Sequence, residues 1–262
     1  MTAIDVAYET HGPAHLPAVV LTGSLGTTTQ MWYPQLAALS HDYRVVAYDT
    51  RGHGRSPVPP GPYDVDDLAA DLERLLDRLD VARAHMVGLS LGGLTVMRLA
   101  ATKPDRVDRA AVLCTAARFA PARTWAERAD LIEASGMKSV AQTVVARWFT
   151  DAHRRADPEL IAWAERMLCS IDAAGYVACC RLLVSADVTD DLASIRSPLL
   201  AIAGADDPAT PPVQLQTIVD AVPGARLAVV EGAAHLANLD QPNTVTELLL
   251  DHLAGTPRSE GT

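Results

Sequence analysis

The chain has 262 residues, 49% of them hydrophobic, which is enough for one sizeable core and excludes a disordered polypeptide. Its formal charge of −10 argues against nucleic acid and anionic membrane surfaces as partners. No apolar run reaches the roughly eighteen residues of a membrane span. The first residues carry early acids and no signal-like apolar stretch, and the four cysteines show no metal spacing. A reduced, cytoplasmic protein is therefore expected.

In chain order, Ala18–Thr22 and Arg44–Tyr48 are short apolar runs ending in turn residues and read as buried strands. Asp64 is placed to cap a helix over 65–80, where Leu68, Leu72, Leu75, Leu76 and Leu79 recur at helical spacing. A strand over 85–89, a helix over about 91–102 and a strand over 110–114 follow. The alternation resumes late, with strands over 199–203 and 226–230 and helices over about 212–221 and 241–253. This is the pattern of a doubly wound, mostly parallel α/β sheet. Only about seventeen residues precede the first buried strand, room for one strand and not a hairpin.

Residues 116–185 break the alternation and read as helices throughout. The segment is too long for an ordinary loop, so the expected organisation is a core of 1–115 and 186–262 with a helical cap over 116–185. The cap carries nine basic and eight acidic residues and half of the chain's twelve aromatics. Those side chains either fill a thin helical core or line a pocket between cap and sheet.

Gly88-Leu89-Ser90-Leu91-Gly92 fits G-x-S-x-G at the end of an expected strand and the start of an expected helix. In that context the turn presents the serine at the carboxyl end of the sheet, and the glycines let strand and helix approach. A serine hydroxyl needs a base oriented by an acid, and with this turn the chain order is Ser, acid, His. Of the histidines after Ser90, His153 lies in the cap and His252 inside a C-terminal helix. His235 lies in a loop just after the last strand, at the edge of the sheet that carries Ser90.

The acid should end the preceding strand. Asp206 and Asp207 compete there, and the spacing from Gly204 and to Pro211 favours Asp207. The oxyanion hole needs two backbone N–H groups, one from Leu91 and one from the loop after Thr22. Counting back from Met31-Trp32 makes Leu25 the second donor; counting from Gly23 makes it Ser24. Asp49-Thr-Arg-Gly-His-Gly-Arg-Ser56 reads as a structural turn, His53 included, and the cysteines as small buried hydrophobes.

Together these stretches resemble the α/β-hydrolase superfamily over essentially the whole chain, which implies a sheet of seven or eight strands with an inserted helical cap. Within it the sequence looks like the 3-oxoadipate enol-lactonases of protocatechuate (β-ketoadipate) degradation. Beyond the Ser90 turn, the resemblance rests on Ser24-Leu-Gly-Thr27, Gly61-Pro-Tyr63, Arg147-Trp-Phe-Thr150, Gly175-Tyr-Val-Ala-Cys-Cys180 and Ala234-His-Leu-Ala-Asn238. Gly23 stands where that family often has Asn, and the usual first strand is expected to be missing or vestigial. With the sequence running to Ala254–Thr262, the decarboxylase domain sometimes fused to such enzymes is not expected. The resemblance implies a small anionic enol lactone as substrate, an acyl-enzyme on Ser90, and no metal or organic cofactor. It leaves open a general carboxylesterase or C–C hydrolase, a cofactor-independent haloperoxidase-like enzyme, and a non-catalytic ligand sensor. Charge places Arg128 and Arg147 as candidates to meet the substrate carboxylate, with Trp148 as an apolar pocket wall.

Overall fold

Seven strands form one sheet in the computed structural model, which describes residues 2–255. The C-terminal tail discussed above lies, from residue 256 onward, outside the described residues. The strands are β1 (Tyr8–His11), β2 (Ala18–Thr22), β3 (Arg44–Tyr48), β4 (Ala84–Leu89), β5 (Val107–Leu113), β6 (Leu199–Gly204) and β7 (Arg226–Val230). Their order is β1-β3-β2-β4-β5-β6-β7. Only β1 runs antiparallel, from Tyr8 opposite Tyr48 to His11 opposite Val45. The remaining neighbours are parallel. Parallel neighbours require crossovers that cover both faces, so β2 and β4 are buried at every position and show no polar alternation. β7 pairs on one side only and is half-exposed. As the short N-terminal stretch implies, one strand precedes β2 among the described residues.

The helices are α1 (Tyr33–Asp42), α2 (Val65–Arg78), α3 (Leu91–Thr102), α4 (Ala122–Ser135), α5 (Lys138–Trp148), α6 (Asp151–Ala156), α7 (Pro158–Cys169), α8 (Ala173–Ser185), α9 (Pro212–Ala221), α10 (Ala237–Asp240) and α11 (Pro242–Leu253). α2 starts where its capping residue dictates: the Asp64 side chain accepts Asp67 N–H, and the Asp67 side chain accepts Asp64 N–H. Leu68, Leu72, Leu75 and Leu76 form its buried stripe. Truncating any one of them to Ala would cost about 2–5 kcal/mol.

Between β5 and β6 stand α4–α8. The helical reading of 116–185 needs one correction: residues 116–121 are not helical, and Arg118 makes an isolated bridge to Asp187. The segment carries Pro121 just before α4, and a residue preceding proline is held out of the α region. The expected strand over 110–114 also shifts. β5 begins at Val107 and ends before Cys114, whose φ of 42° cannot continue a strand. The cap is seated on the sheet side at one very close approach. A Cβ on Gly52 would fall 2.6 Å from Gly175 Cα, so glycine is required on both sides.

Candidate active site

Ser90 sits between β4 and α3 with φ 56° and ψ −113°, a conformation that costs an L-residue about 1–3 kcal/mol. Surrounding bonds hold it there. Its N–H donates to Leu113 O at 2.9 Å, and its carbonyl accepts Leu94 N–H at 3.0 Å and Thr115 Oγ1 at 2.7 Å. A Cβ on Gly88 would meet Gly92 O at 2.3 Å, and one on Gly92 would meet Thr22 O at 2.4 Å. The glycines of the turn are thus required by backbone contact.

His235 follows β7 and is buried. Its Nδ1 lies 2.9 Å from Asp207 Oδ2, which also accepts the Thr210 hydroxyl at 2.6 Å. Asp207 Oδ1 accepts the N–H groups of Ala209 at 2.8 Å and Thr210 at 3.1 Å. Burial opposes ionisation of this carboxyl. The charge and hydrogen bond of His235, with those N–H and O–H donors, outweigh it and hold the group at about 2. An ionised Asp207 accepts a hydrogen bond from Nδ1–H, which fixes the tautomer and leaves Nε2 as the basic end of the ring. Asp206 does not make this bond. Its N–H donates to Ala233 O at 2.9 Å, and the residue lines a different surface groove with His153 and Gln241. His252 is also placed elsewhere, with Nε2 on Ala110 O at 2.9 Å.

Ser90 and His235 open into one cavity of about 240 Å³, which Ser24 and Leu25 also line. Leu91 N is the first amide of α3 and has no intrahelical acceptor. The N–H groups of Ser24 and Leu25 donate to no acceptor among the described residues. The loop that carries them is tied down on both sides: Gly92 N donates to Gly23 O at 3.1 Å, and Gly26 N to His53 Nε2 at 3.0 Å.

The opposite wall comes from the cap, with Trp125, Arg128, Arg147 and Trp148. Trp148 is buried. Arg128 lies over the Trp125 ring at 4.7 Å and donates to the Tyr176 hydroxyl at 3.5 Å. Neither Arg128 nor Arg147 has a carboxylate partner among the described residues. The nearby acids are engaged elsewhere, Glu127 with Arg123 and Asp151 with Arg154.

Several contributors escaped the sequence reading. Thr210 holds both oxygens of the Asp207 carboxylate, and its Asp-x-x-Thr spacing is a visible turn signal. His53, read as part of a structural turn, reaches the loop that carries Ser24 and Leu25 directly. The rest of that turn does brace the core: Arg51 forks onto Asp71 at 2.6 and 2.7 Å, and Asp49 Oδ1 accepts Thr29 N–H at 2.9 Å. The cysteines are free thiols, three of them buried, and burial pushes Cys180 up to about 12.

Comparison with known proteins bears on this geometry. A family model described as alpha/beta hydrolase fold matches residues 17–242. The 3-oxoadipate enol-lactonase 2 of Acinetobacter baylyi is 41% identical over 92% of this chain and 91% of its own length. A protein of Stutzerimonas stutzeri named as a candidate carbamate hydrolase is 31% identical over 94% of this chain and 96% of its own. The crystal structure of the enol-lactonase from Burkholderia xenovorans superposes with a TM-score of 0.93 at 38% identity, covering 95% of this chain and 96% of that one. The chain belongs to the α/β-hydrolase family, and it is a hydrolase similar over nearly its full length to the 3-oxoadipate enol-lactonases.

Proposed function

We propose that this protein opens 3-oxoadipate enol-lactone to 3-oxoadipate, a step of aromatic catabolism, through an acyl-enzyme on Ser90. One observation carries the reading: a single cavity of about 240 Å³ holds Ser90 and His235 on one wall and two arginines without carboxylate partners on the other. That volume lies below the usual 300–1,000 Å³ of ligand pockets and suits a small five-membered ring with an acetate arm. Ser90 and His235 both face the cavity, which favours an enzyme over a sealed sensor.

Ser90 Oγ attacks the ring carbonyl while His235 Nε2 takes its proton, and Asp207 holds the imidazole and stabilises the imidazolium. The developing oxyanion is met by Leu25 and Leu91 N–H; losing one such donor typically costs about 10²–10³ in kcat. The ring C–O bond then breaks, the leaving enol oxygen takes the proton back from His235, and the enol tautomerises to a ketone. Water, deprotonated by His235, attacks the acyl-enzyme carbonyl and releases Ser90 and the second carboxylate of the product. Arg128 and Arg147 grip the acetate carboxylate, and Trp148 forms the apolar wall. The four free thiols are in keeping with work in the reducing cytoplasm.

The test is loss of the enol-lactone ultraviolet chromophore on mixing with purified protein, set beside a simple ester and a small carbamate. Turnover of the carbamate with no loss of the lactone would replace this reading.

A further inference from the structure

Asp240 ends α10 with its side chain fully buried, yet it does not face the cavity. Its Oδ2 accepts Ala234 N–H at 2.7 Å, the amide immediately before His235. The same oxygen accepts Thr150 N–H from the cap at 3.2 Å. Oδ1 lies 3.0 Å from Nδ1 of His153, on cap helix α6. Burial pushes this carboxyl above its ordinary value, and nearby Asp206 adds to the push. The Ala234 and Thr150 N–H groups and His153 act against it. A carboxylate buried at such cost is retained by the donors that converge on it.

The residue on the other side of His235 is tied to the cap as well. Leu236 N donates to Trp148 O at 2.9 Å, and Trp148 lines the cavity. His235 therefore stands between two hydrogen-bonded links to cap residues 148–150, one direct and one through Asp240. Behind it, the Cys114 thiol reaches Ala234 O at 3.7 Å.

We infer that Asp240 is a positioning residue that seats His235 against the cap segment Trp148–Thr150, so that the wall contacting the substrate and the base acting on it are placed by the same bonds. The inference rests on His235 being the base, as proposed above. It assigns the cap a second task besides enclosing substrate. Displacing a reacting group by about 1 Å can cost about 10²-fold in rate, and loosening this seat acts on kcat more than on KM.

Thr150 offers a pair of substitutions that isolates one link: its hydroxyl also caps α6 by accepting His153 N–H at 3.2 Å, so the amide must be removed against a background that has already lost the hydroxyl. Its φ is −63° and ψ 156°, and Phe149 before it has φ −129° and ψ 149°. Proline fits the first residue and tolerates the second, and it lacks the N–H. Thr150→Pro is compared with Thr150→Ala, which loses the same hydroxyl but keeps the amide. Asp240→Asn, of equal shape without the charge, is measured beside them. Substrates are the enol lactone and p-nitrophenyl acetate, with thermal melts in parallel.

The expected result is kcat about tenfold lower for Thr150→Pro than for Thr150→Ala, and about tenfold or more below wild type for Asp240→Asn, with KM within about threefold. If Asp240→Asn fails to fold, the proline–alanine pair decides. Equal kcat in that pair overturns the coupling even if melting temperatures fall. His235→Ala separates the two levels: near-wild-type turnover there overturns the functional reading, whereas an inactive His235→Ala with an unaffected Thr150→Pro overturns only the seat.

Discussion

The His53 imidazole accepts the Gly26 N–H at Nε2, at 3.0 Å, and places Nδ1 3.2 Å from Arg51 O. An amide only donates and a carbonyl only accepts, so the two partners select the neutral Nδ1–H tautomer. Burial favours the same state by lowering the His53 pKa. The bond anchors the peptide directly after Leu25, on the loop expected to hold the oxyanion. His53→Ala should lower kcat by about 10- to 100-fold, bounded by the loss of a whole oxyanion donor. His53→Gln, whose amide oxygen can accept the Gly26 N–H, should recover part of it. Unchanged kcat in His53→Ala, or no difference between the two variants, would refute the brace.

Ser90→Ala should remove turnover by on the order of 10⁶ while leaving the fold intact, because the remaining groups cannot act without the nucleophile. Asp207→Asn should slow kcat by roughly 10⁴ if the imidazole is then held in the wrong tautomer. Asp206→Asn should stay within about threefold, since Asp206 bonds Ala233 through its backbone and lines a separate groove. Steady-state kinetics on the three variants checks the set. An Asp206 effect as large as that of Asp207 would mean that the bond at 2.9 Å is not the one that matters.

Stability should fall on mild acidification. Burial lowers the pKa of His53, His85 and His252, the last to about 4. The unfolded chain then binds more protons than the native state as pH drops below about 6.5, so stability is lost from there toward pH 4. His252 alone accounts for up to about 3 kcal/mol over that window. Asp207, held at about 2, titrates below that window, while the Asp71 and Asp240 carboxyls, raised by burial, oppose part of the loss without reversing it against three imidazoles. Urea midpoints between pH 7 and 4.5 should therefore decline, and His252→Gln should flatten the slope. A midpoint independent of pH in that range would show that these rings are solvated in solution.

The elements legible in the sequence were those whose periodicity or end signals act locally. Leu68 to Leu76 repeat at helical spacing, and Asp64 caps them. Ser90 stands in a five-residue pattern at whose glycines an added Cβ would meet backbone at under 2.5 Å. The Gly204 and Pro211 spacing separated Asp207 from Asp206. The N-terminal stretch left room for β1 but did not place it, and α10 was missed, because each is four residues long, too short to show a period. α1 was missed although it runs ten residues, because its apolar positions form no clear stripe. Asp240 and His53 escaped for another reason. Their partners, Thr150 and Gly26, lie 90 and 27 residues away, and no local pattern carries a contact of that range.

The substrate carboxylate should be read out by the cap arginines. Arg128 is partly buried, stacked on Trp125 and bonded only to the Tyr176 hydroxyl, so its charge has no carboxylate partner among the described residues. Arg147 lines the same cavity but is more exposed, and solvent weakens what an exposed charge contributes. A hydrogen bond to a charged group contributes about 1.5–3 kcal/mol, roughly 10- to 100-fold in kcat/KM. The measurement is kcat/KM for the lactone with a free acetate arm divided by that for its methyl ester. Arg128→Ala should lower the ratio by about tenfold and Arg147→Ala by about threefold, with activity toward the ester nearly unchanged in both. Taking the ratio removes effects on Ser90 or His235, which act on both substrates alike. A ratio unmoved by either substitution would place the carboxylate on backbone N–H groups or hydroxyls such as Thr124, which also lines the cavity. The cap's excess of arginine would then serve its surface alone.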